Sequence, residues 1–517
     1  MAQQGANKWI ITITVILASV IELIDTSIVN VALPQMMGNL GATLDQIAWV
    51  VTGYVVANVI VIPMTGWFAS TFGRRNYFTG SLVLFTVASF FCGHATGLWE
   101  LVIFRFIQGA GGGAMLSTSQ AILVETFPPE ELGMANGLFG LGVVVGPTVG
   151  PTLGGWITDS YSWRWIFYVN LPIGILAALM AMAFIPESGD VRKVSNKVDW
   201  PGIGLLVAGI GSLQIVLERG ESEDWFAANY IIVLSIVAAI SLVAFIWREL
   251  SIDYPIVNLR VLKDRSLAVG TFFTFIMGFG LYASVFIFPV FAQNLLGFTA
   301  MQTGLILLPG SLATAVMMPV VGKLLQKGVP PQLMNALGFI SFFFFTWMLS
   351  HSTLASDRLD FFWPLILRGV GLGFLFVPLT TLALSNLRGR DIAQGAGLTN
   401  MMRQLGGSFG VALVATFVQY RTWTHRLNLI SHTSIYDTAV RERLAAVTQG
   451  LVAKGSSLLQ AQQQAYGALE GAVLKQTFLL SYMDAFRVVG VFFLCCIPML
   501  LLFKRRAGTS TAPVSMH

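Results

Sequence analysis

Charge is what this chain has least of. Only 11% of its 517 residues are Asp, Glu, Lys or Arg and 55% are hydrophobic, where soluble proteins carry about 25% charged residues. That composition, with a mean hydropathy of +0.74, excludes a soluble enzyme and implies a polytopic membrane protein. Cysteine is almost missing. Cys92, Cys495 and Cys496 all lie in apolar runs, which excludes a disulfide framework and a metal site. No P-loop, HExxH, nucleophile elbow or zinc spacing occurs. The GAGGG run at 109–113 lacks the Lys-Ser/Thr that would hold phosphate. No cofactor and no enzyme activity are expected, so energy for any work must come from an ion gradient. The net charge of +5 does not point to nucleic acid, because the basic residues are spread through short loops, where membrane topology explains them.

What is present is apolar helix. A bilayer core needs roughly 17–25 residues of it per span, and hydropathy gives fourteen candidates. The first six run at about 10–33, 46–68, 77–95, 98–121, 134–157 and 163–185. Two more fall at about 201–218 and 228–247, between polar linkers. The last six fall at about 267–292, 302–326, 333–350, 361–385, 394–420 and 484–503. The expected organisation is a six-helix half over 1–185, linkers with two inserted spans over 186–266, a second half over 267–503, and a tail over 504–517. Loops on one side hold seventeen Lys and Arg, those on the other only Arg164, Arg219 and Arg358. The positive-inside bias then puts both termini in the cytoplasm. The lone Lys8 before an apolar stretch too long for a signal peptide reads as the start of an uncleaved first span.

The first span carries Glu22 and Asp25 near its middle. A charge at that depth costs about 2.5–3.5 kcal/mol on insertion scales, and residues three apart share a helix face. One or both acids are expected to line a water-accessible path and exchange protons; a bonded structural acid is the alternative. Arg105 in the fourth span, with Gln108 one turn on, also needs a partner. At about 1.5 Å per residue, Asp25 and Arg105 fall level, so an Asp25–Arg105 pair is expected. Glu22, less well paired, becomes the easier acid to protonate.

Weak internal similarity links the halves. Arg105 precedes Leu116-Ser117-Thr118, and Arg368 precedes Leu379-Thr380-Thr381 at the same offset. Paired repeats of this kind build a central site at the midplane of transporters. Candidate cavity residues are Asn30, Gln108, Gln120, Tyr282, Asn400 and Arg403, with Asn58 and Gln214 among further polar positions in spans.

LIDTSIVNVALP (23–34), GWFASTFGRR (66–75), RFIQGAGGG (105–113), GVVVGPTVGPTLGG (142–155) and WRWIFYVNLPIG (163–174) resemble the major facilitator superfamily. The span count and MMRQLGGSFGVAL (401–413) are most similar to its fourteen-span drug:H⁺ antiporters, the EmrB-type permeases of tripartite efflux pumps. The resemblance implies an all-α major facilitator fold with two six-helix halves and two inserted helices. It also implies proton-driven export of hydrophobic or cationic small molecules across the bacterial inner membrane. A periplasmic adaptor and, through it, an outer-membrane channel are the implied partners. In the family, the loop with Gly66, Gly73, Arg74 and Arg75 is a conformational latch, with an Asp where this chain has Ser70. Gly146, Pro147, Gly150 and Pro151 belong to a Gly/Pro pattern associated with antiporters. An uptake carrier for a polar solute, or a sensor of the same fold, is the alternative.

The segment 421–483 is expected outside, as a hairpin of two helices at about 434–453 and 457–482 joined at Lys454–Ser457. Val440, Leu444, Val447 and Leu451 form one apolar stripe on the first of them. The hairpin either docks the adaptor or packs on itself.

Overall fold

The periodicity of the apolar runs is realised as helix throughout. The computed structural model describes residues 2–128, 131–186, 198–434 and 436–502; the linker basic residues Arg192, Lys193 and Lys197 and the tail 504–517 lie outside them. The first half contains α1 (Ala2–Leu40), α2 (Leu44–Ile47), α3 (Trp49–Val61), α4 (Thr65–Phe72), α5 (Arg74–His94), α6 (Leu98–Thr126), α7 (Leu132–Ser160), α8 (Trp165–Tyr168) and α9 (Asn170–Phe184). Next come α10 (Trp200–Arg219) and α11 (Asn229–Ser251). The second half contains α12 (Arg265–Asn294), α13 (Ala300–Gln326), α14 (Pro331–Leu349), α15 (Phe362–Leu384), α16 (Arg390–Ser431), α17 (Thr438–Ala453) and α18 (Leu458–Cys496).

Among the described residues, twelve helical stretches are long and apolar enough to cross a membrane. α6 and α7, each of 29 residues, fall outside that composition criterion but pack inside the bundle, against α3, α5, α1 and α13. Exposed aromatics mark two belts, as expected at membrane–water boundaries. Trp9, Trp200 and Trp247 lie at one end of the bundle, and Trp99, Trp156, Tyr161, Trp165 and Trp363 at the other.

The glycines decide how close the helices come. In α6 the glycines of GAGGG face two neighbours, α3 and α5. A Cβ on Gly109 or Gly113 would strike the backbone of α3 at Tyr54 and Asn58, and one on Gly111 would lie 2.8 Å from the Phe85 nitrogen of α5. The run is a close-packing surface. Gly73 has φ +82°, a conformation that costs an L residue dearly; it turns the chain between α4 and α5.

The segment beyond the bundle differs from the expected hairpin. α16 continues without a break from the span to Ser431, and α18 joins the second hairpin helix to the last span in one rod. Nothing between Gln419 and Ser431, or between Leu474 and Asp484, is Gly or Pro, so no residue stops either helix at the boundary. α17 is capped by the Asp437 side chain at 3.1 Å and α18 by Ser457 at 3.4 Å. α17 packs on α18. Its Val440, Leu444, Val447 and Leu451 are half-buried, so the apolar stripe is used internally.

Contacts between the first six-helix group and the second run along the α7–α13 pair, from Gly133 against Gly322 to Thr152 beside Gly304, and a polar set joins them at the end that holds Lys8 and Gly73. Asn400 donates to Gln120 at 2.8 Å, and Asn136 to Thr381 at 3.0 Å. From the second half, α16 reaches across to α4, α6 and the Ile62–Met64 turn. Toward the other end α10 is seated against both α3 and α16. Its Gln214 donates to Ser408 at 2.7 Å, and Trp225 beyond it donates to Thr416 at 2.9 Å.

Candidate proton and substrate site

α1 places Glu22 and Asp25 on one face, and both are buried, at 2% and 0% exposure. Their surroundings divide them. Asp25 Oδ2 lies 2.5 Å from Arg105 Nη1. Its Oδ1 accepts from Gln108 at 3.0 Å and from Asn170 at 2.7 Å. Arg105 also donates to Gln108 Oε1 at 2.7 Å and to the Val50 carbonyl at 3.3 Å. Its guanidinium stacks 4.1 Å from the Tyr54 ring centroid. Ser89 accepts from Gln108 and Asn170. Five helices, α1, α3, α5, α6 and α9, therefore close on one ion pair whose hydrogen bonds fill both carboxylate oxygens. Buried charges persist in this way, paired and hydrogen-bonded.

Glu22 is held by less. Oε1 accepts from Asn58 Nδ2 at 2.9 Å, while Oε2 is buried with no protein partner. Gly112 makes room here: a Cβ on it would lie 2.6 Å from Tyr54 Oη, 3.3 Å from Asn58 Nδ2 and 3.3 Å from Glu22 Cγ. The cation within Coulombic reach of Glu22 comes from the other half, Arg403 of α16. Arg403 is 2% exposed, lies 5.7 Å from the Phe376 ring centroid, interacts with Tyr282, and has Nε unpartnered. Tyr282 donates to Gln404 at 3.0 Å. Gln120 Nε2 and Asn400 Oδ1 are also buried and unpartnered, a turn below. Buried polar atoms without a protein partner call for an explanation, such as an ordered water, a bound ion or a functional role.

Of the residues read from sequence, Asp25, Arg105 and Gln108 meet in the ion-pair cluster, Arg403 and Tyr282 face Glu22 from the second half, and Gln120 meets Asn400. Asn30 is exposed on α1, two turns beyond Glu22, and is not brought into either cluster. Tyr54, Ser89, Asn170 and Gly112 belong to the site and carried no assignment. Asn170 sits within the WRWIFYVNLPIG motif; an amide two residues before a proline in a span was the available signal.

The other motifs pack on this core. α7 lays Gly142, Gly146, Gly150 and Gly154 along α1. A Cβ on Gly146 would lie 2.5 Å from Leu23 Cβ, and one on Gly154 2.7 Å from Ile28 Cγ1; on Gly150 it would strike Ser27 Oγ. Pro147 and Pro151 sit inside the continuous α7. The glycine row thus abuts the turns that carry the two acids. Gly146→Leu is expected to push α1 outward, at an overpacking cost of about 1–3 kcal/mol. Transport should fall while the protein still inserts, which vesicle flux assays on membrane-quantified protein would show.

At the basic turn Arg74 pairs with Glu125 of α6, and Ser70 bonds its own helix, at the Trp67 carbonyl. Gly66 leaves space for Gln394 of α16; a Cβ would lie 2.7 Å from its Nε2. Gln394 in turn accepts from the Asn258 backbone at 3.3 Å. Arg75, half-buried, opens α5 beside Arg74.

Twelve or more apolar helices around a buried ion pair and a partly open acid define a membrane carrier, and comparison gives the family. The sequence profile of the Major Facilitator Superfamily matches residues 15–411, and the chain belongs to that superfamily. It is similar to the fatty acid resistance protein FarB of Neisseria gonorrhoeae, 34% identical over 97% of both chains. It is also similar to the multidrug export protein EmrB of Escherichia coli K12, 32% identical over 99% of both. Among solved structures, a human organic anion transporter aligns over 95% of this chain and 99% of its own, with a TM-score of 0.61 and 13% identity; that likeness speaks for the fold alone.

Proposed function

We propose that this protein is a proton-coupled antiporter that exports lipophilic, cationic and other amphiphilic compounds across the bacterial inner membrane by alternating access. The observation that carries the reading is the division of labour on α1. Asp25 is saturated by bonds and acts as a structural pivot. Glu22 has an open oxygen and a cation facing it from the opposite half. A negative Glu22 attracts Arg403 and offers a counter-charge to a cationic ligand. A proton on Glu22 removes both attractions and frees the halves to rearrange. Ligand and proton therefore compete for one group, which is the requirement for exchange.

The Lys and Arg bias supports a cytoplasmic location for both termini, so the end holding Gly73 faces the cytoplasm and the described state is closed there. Counting α6 and α7 gives fourteen spans. One pH unit contributes about 1.4 kcal/mol per proton and 100 mV about 2.3 kcal/mol per charge, enough for modest accumulation of a neutral compound with one proton. The names of the relatives, multidrug export and fatty acid resistance, support amphiphiles as the substrate class.

The permease reading extends to a tripartite pump. α16 has 42 residues, about 63 Å of helix, roughly twice the hydrocarbon thickness. With α17 and α18 it stands off the membrane and exposes Tyr436, Leu458, Leu459 and Tyr466, a surface suited to a periplasmic adaptor and, through it, an outer-membrane channel.

Everted vesicles test the reading. Imposing an interior-acid gradient should drive ethidium inward only in vesicles holding the protein, and collapsing the gradient should stop it. Gradient-driven movement in the opposite direction would mark an uptake carrier instead.

A further inference from the structure

A cavity lies away from Glu22, where α12, α16 and α18 leave the bundle core. Its volume is about 460 Å³, within the range of roughly 300–1,000 Å³ usual for small-molecule sites. The cavity is polarised along its length. One wall is apolar, formed by Ile287 and Val290 of α12 and Val414 and Val418 of α16, with the exposed Phe478 of α18 beside them. Gln419, Thr422 and Arg426 follow on successive turns of α16 toward the mouth, with Glu221 from the α10–α11 connection also in the lining. Val414 and Arg426 are about 18 Å apart along the helix axis at the standard rise. A cleft of that length, apolar at Val414–Val418 and polar from Gln419 to Arg426, fits a molecule with one chain and one head.

The charges select the head. Asp484 of α18 is held by Arg421 and by His425, the latter at 2.8 Å, so those side chains are committed to joining α16 and α18. Arg426 is paired at 2.7 Å with Glu470, whose side chain is 59% exposed. An exposed pair of that kind is worth about 0–1 kcal/mol. A carboxylate delivered by a buried chain can displace Glu470 and form a charge-assisted bond to the guanidinium. Glu221 opposes a second negative charge at the same mouth.

We propose that this cavity binds a single-chain amphiphile bearing one negative charge, tail toward Val414 and head on Arg426, as a staging site on the outer side of the transporter. It deepens the amphiphile reading of the proposed function and rests on that reading only for its role in transport.

The test uses the purified full-length chain in phosphatidylcholine nanodiscs and a photoactivatable palmitic acid, with labelled peptides mapped by mass spectrometry. Label should fall on 414–426 and 474–482 and be displaced by palmitate. Neither cetyltrimethylammonium nor two-chain phosphatidylglycerol should displace it. Arg426→Gln should weaken labelling about tenfold, the loss of one charge-assisted bond. Val418→Trp should abolish it by filling the cleft, and Glu221→Gln should strengthen it. Labelling unmoved by all three variants, or displaced equally by the cationic amphiphile or by phosphatidylglycerol, would overturn the site. Proton-driven ethidium export is measured on the same proteins. Export without displaceable label here defeats the cavity alone; label without any export defeats the transport reading and leaves the cavity standing.

Discussion

Cells expressing Glu22→Gln are expected to be as drug-sensitive as cells without the transporter, although the variant reaches the membrane in normal amount. Glutamine keeps the shape of the side chain and can still accept from Asn58 through its carbonyl oxygen, so packing around Gly112 and Tyr54 is preserved. What it removes is the exchangeable proton and the negative charge facing Arg403. Without them the two halves receive no signal that distinguishes a loaded site from an empty one. Neutral substrates should still bind, because the apolar and polar walls are unchanged, but proton-driven export should stop. Cationic substrates should also bind more weakly, since their counter-charge is gone. Resistance and surface expression, measured together, check this. Full resistance in Glu22→Gln would remove Glu22 from the coupling mechanism.

The second large effect is on folding. Arg105→Ala leaves Asp25 buried without its cation, and breaking a buried pair by removing one partner costs about 3–5 kcal/mol. The loss spreads beyond the pair, since Gln108 and the Val50 carbonyl lose a donor and the Tyr54 ring loses its stacked guanidinium. Little detergent-stable protein should be recovered. Arg105→Lys should recover part of it, because a lysine carries the charge but cannot bond Asp25, Gln108 and Val50 at once with a rigid fork. Asp25→Asn with Arg105→Gln should be more stable than Arg105→Ala alone, because no buried charge is left over. Thermal unfolding followed by size-exclusion recovery reads these differences. An Arg105→Ala protein as stable as the parent would show that the cluster is not a structural pivot.

These two outcomes test the division between the acids that the sequence suggests, with Asp25 paired to Arg105 and Glu22 the easier acid to protonate. Acidic residues inside an apolar run are costly enough to stand out, and helix rise alone puts Asp25 level with Arg105. The fold class was legible for the same reason: apolar runs of span length leave little choice of structure, and the family motifs specify how they assemble. The residues that discriminate the acids were harder to see. Asn170, Ser89 and Tyr54 are unremarkable polar or aromatic residues in sequence, and only three-dimensional closure brings them to Asp25 and Arg105. Gly112 was hidden in a run that draws attention as a loop, while its function is to be absent where Glu22, Asn58 and Tyr54 meet. The continuity of α16 and α18 was missed because hydropathy registers where a helix leaves the apolar phase, not where it ends. The amphiphile cavity was not legible at all, since its walls are ordinary aliphatic and aromatic positions contributed by three helices far apart in the chain.

The central claim is that one proton on Glu22 is exchanged for substrate. Its most direct measurement is proton release from purified protein in weakly buffered detergent solution on addition of ethidium. The account predicts release from the parent and from a Gly204→Ala control, where an added Cβ meets nothing within 4 Å, and none from Glu22→Gln, although ethidium or a neutral substrate is still seen to bind. Equal release from Glu22→Gln would contradict it and move the proton to another group.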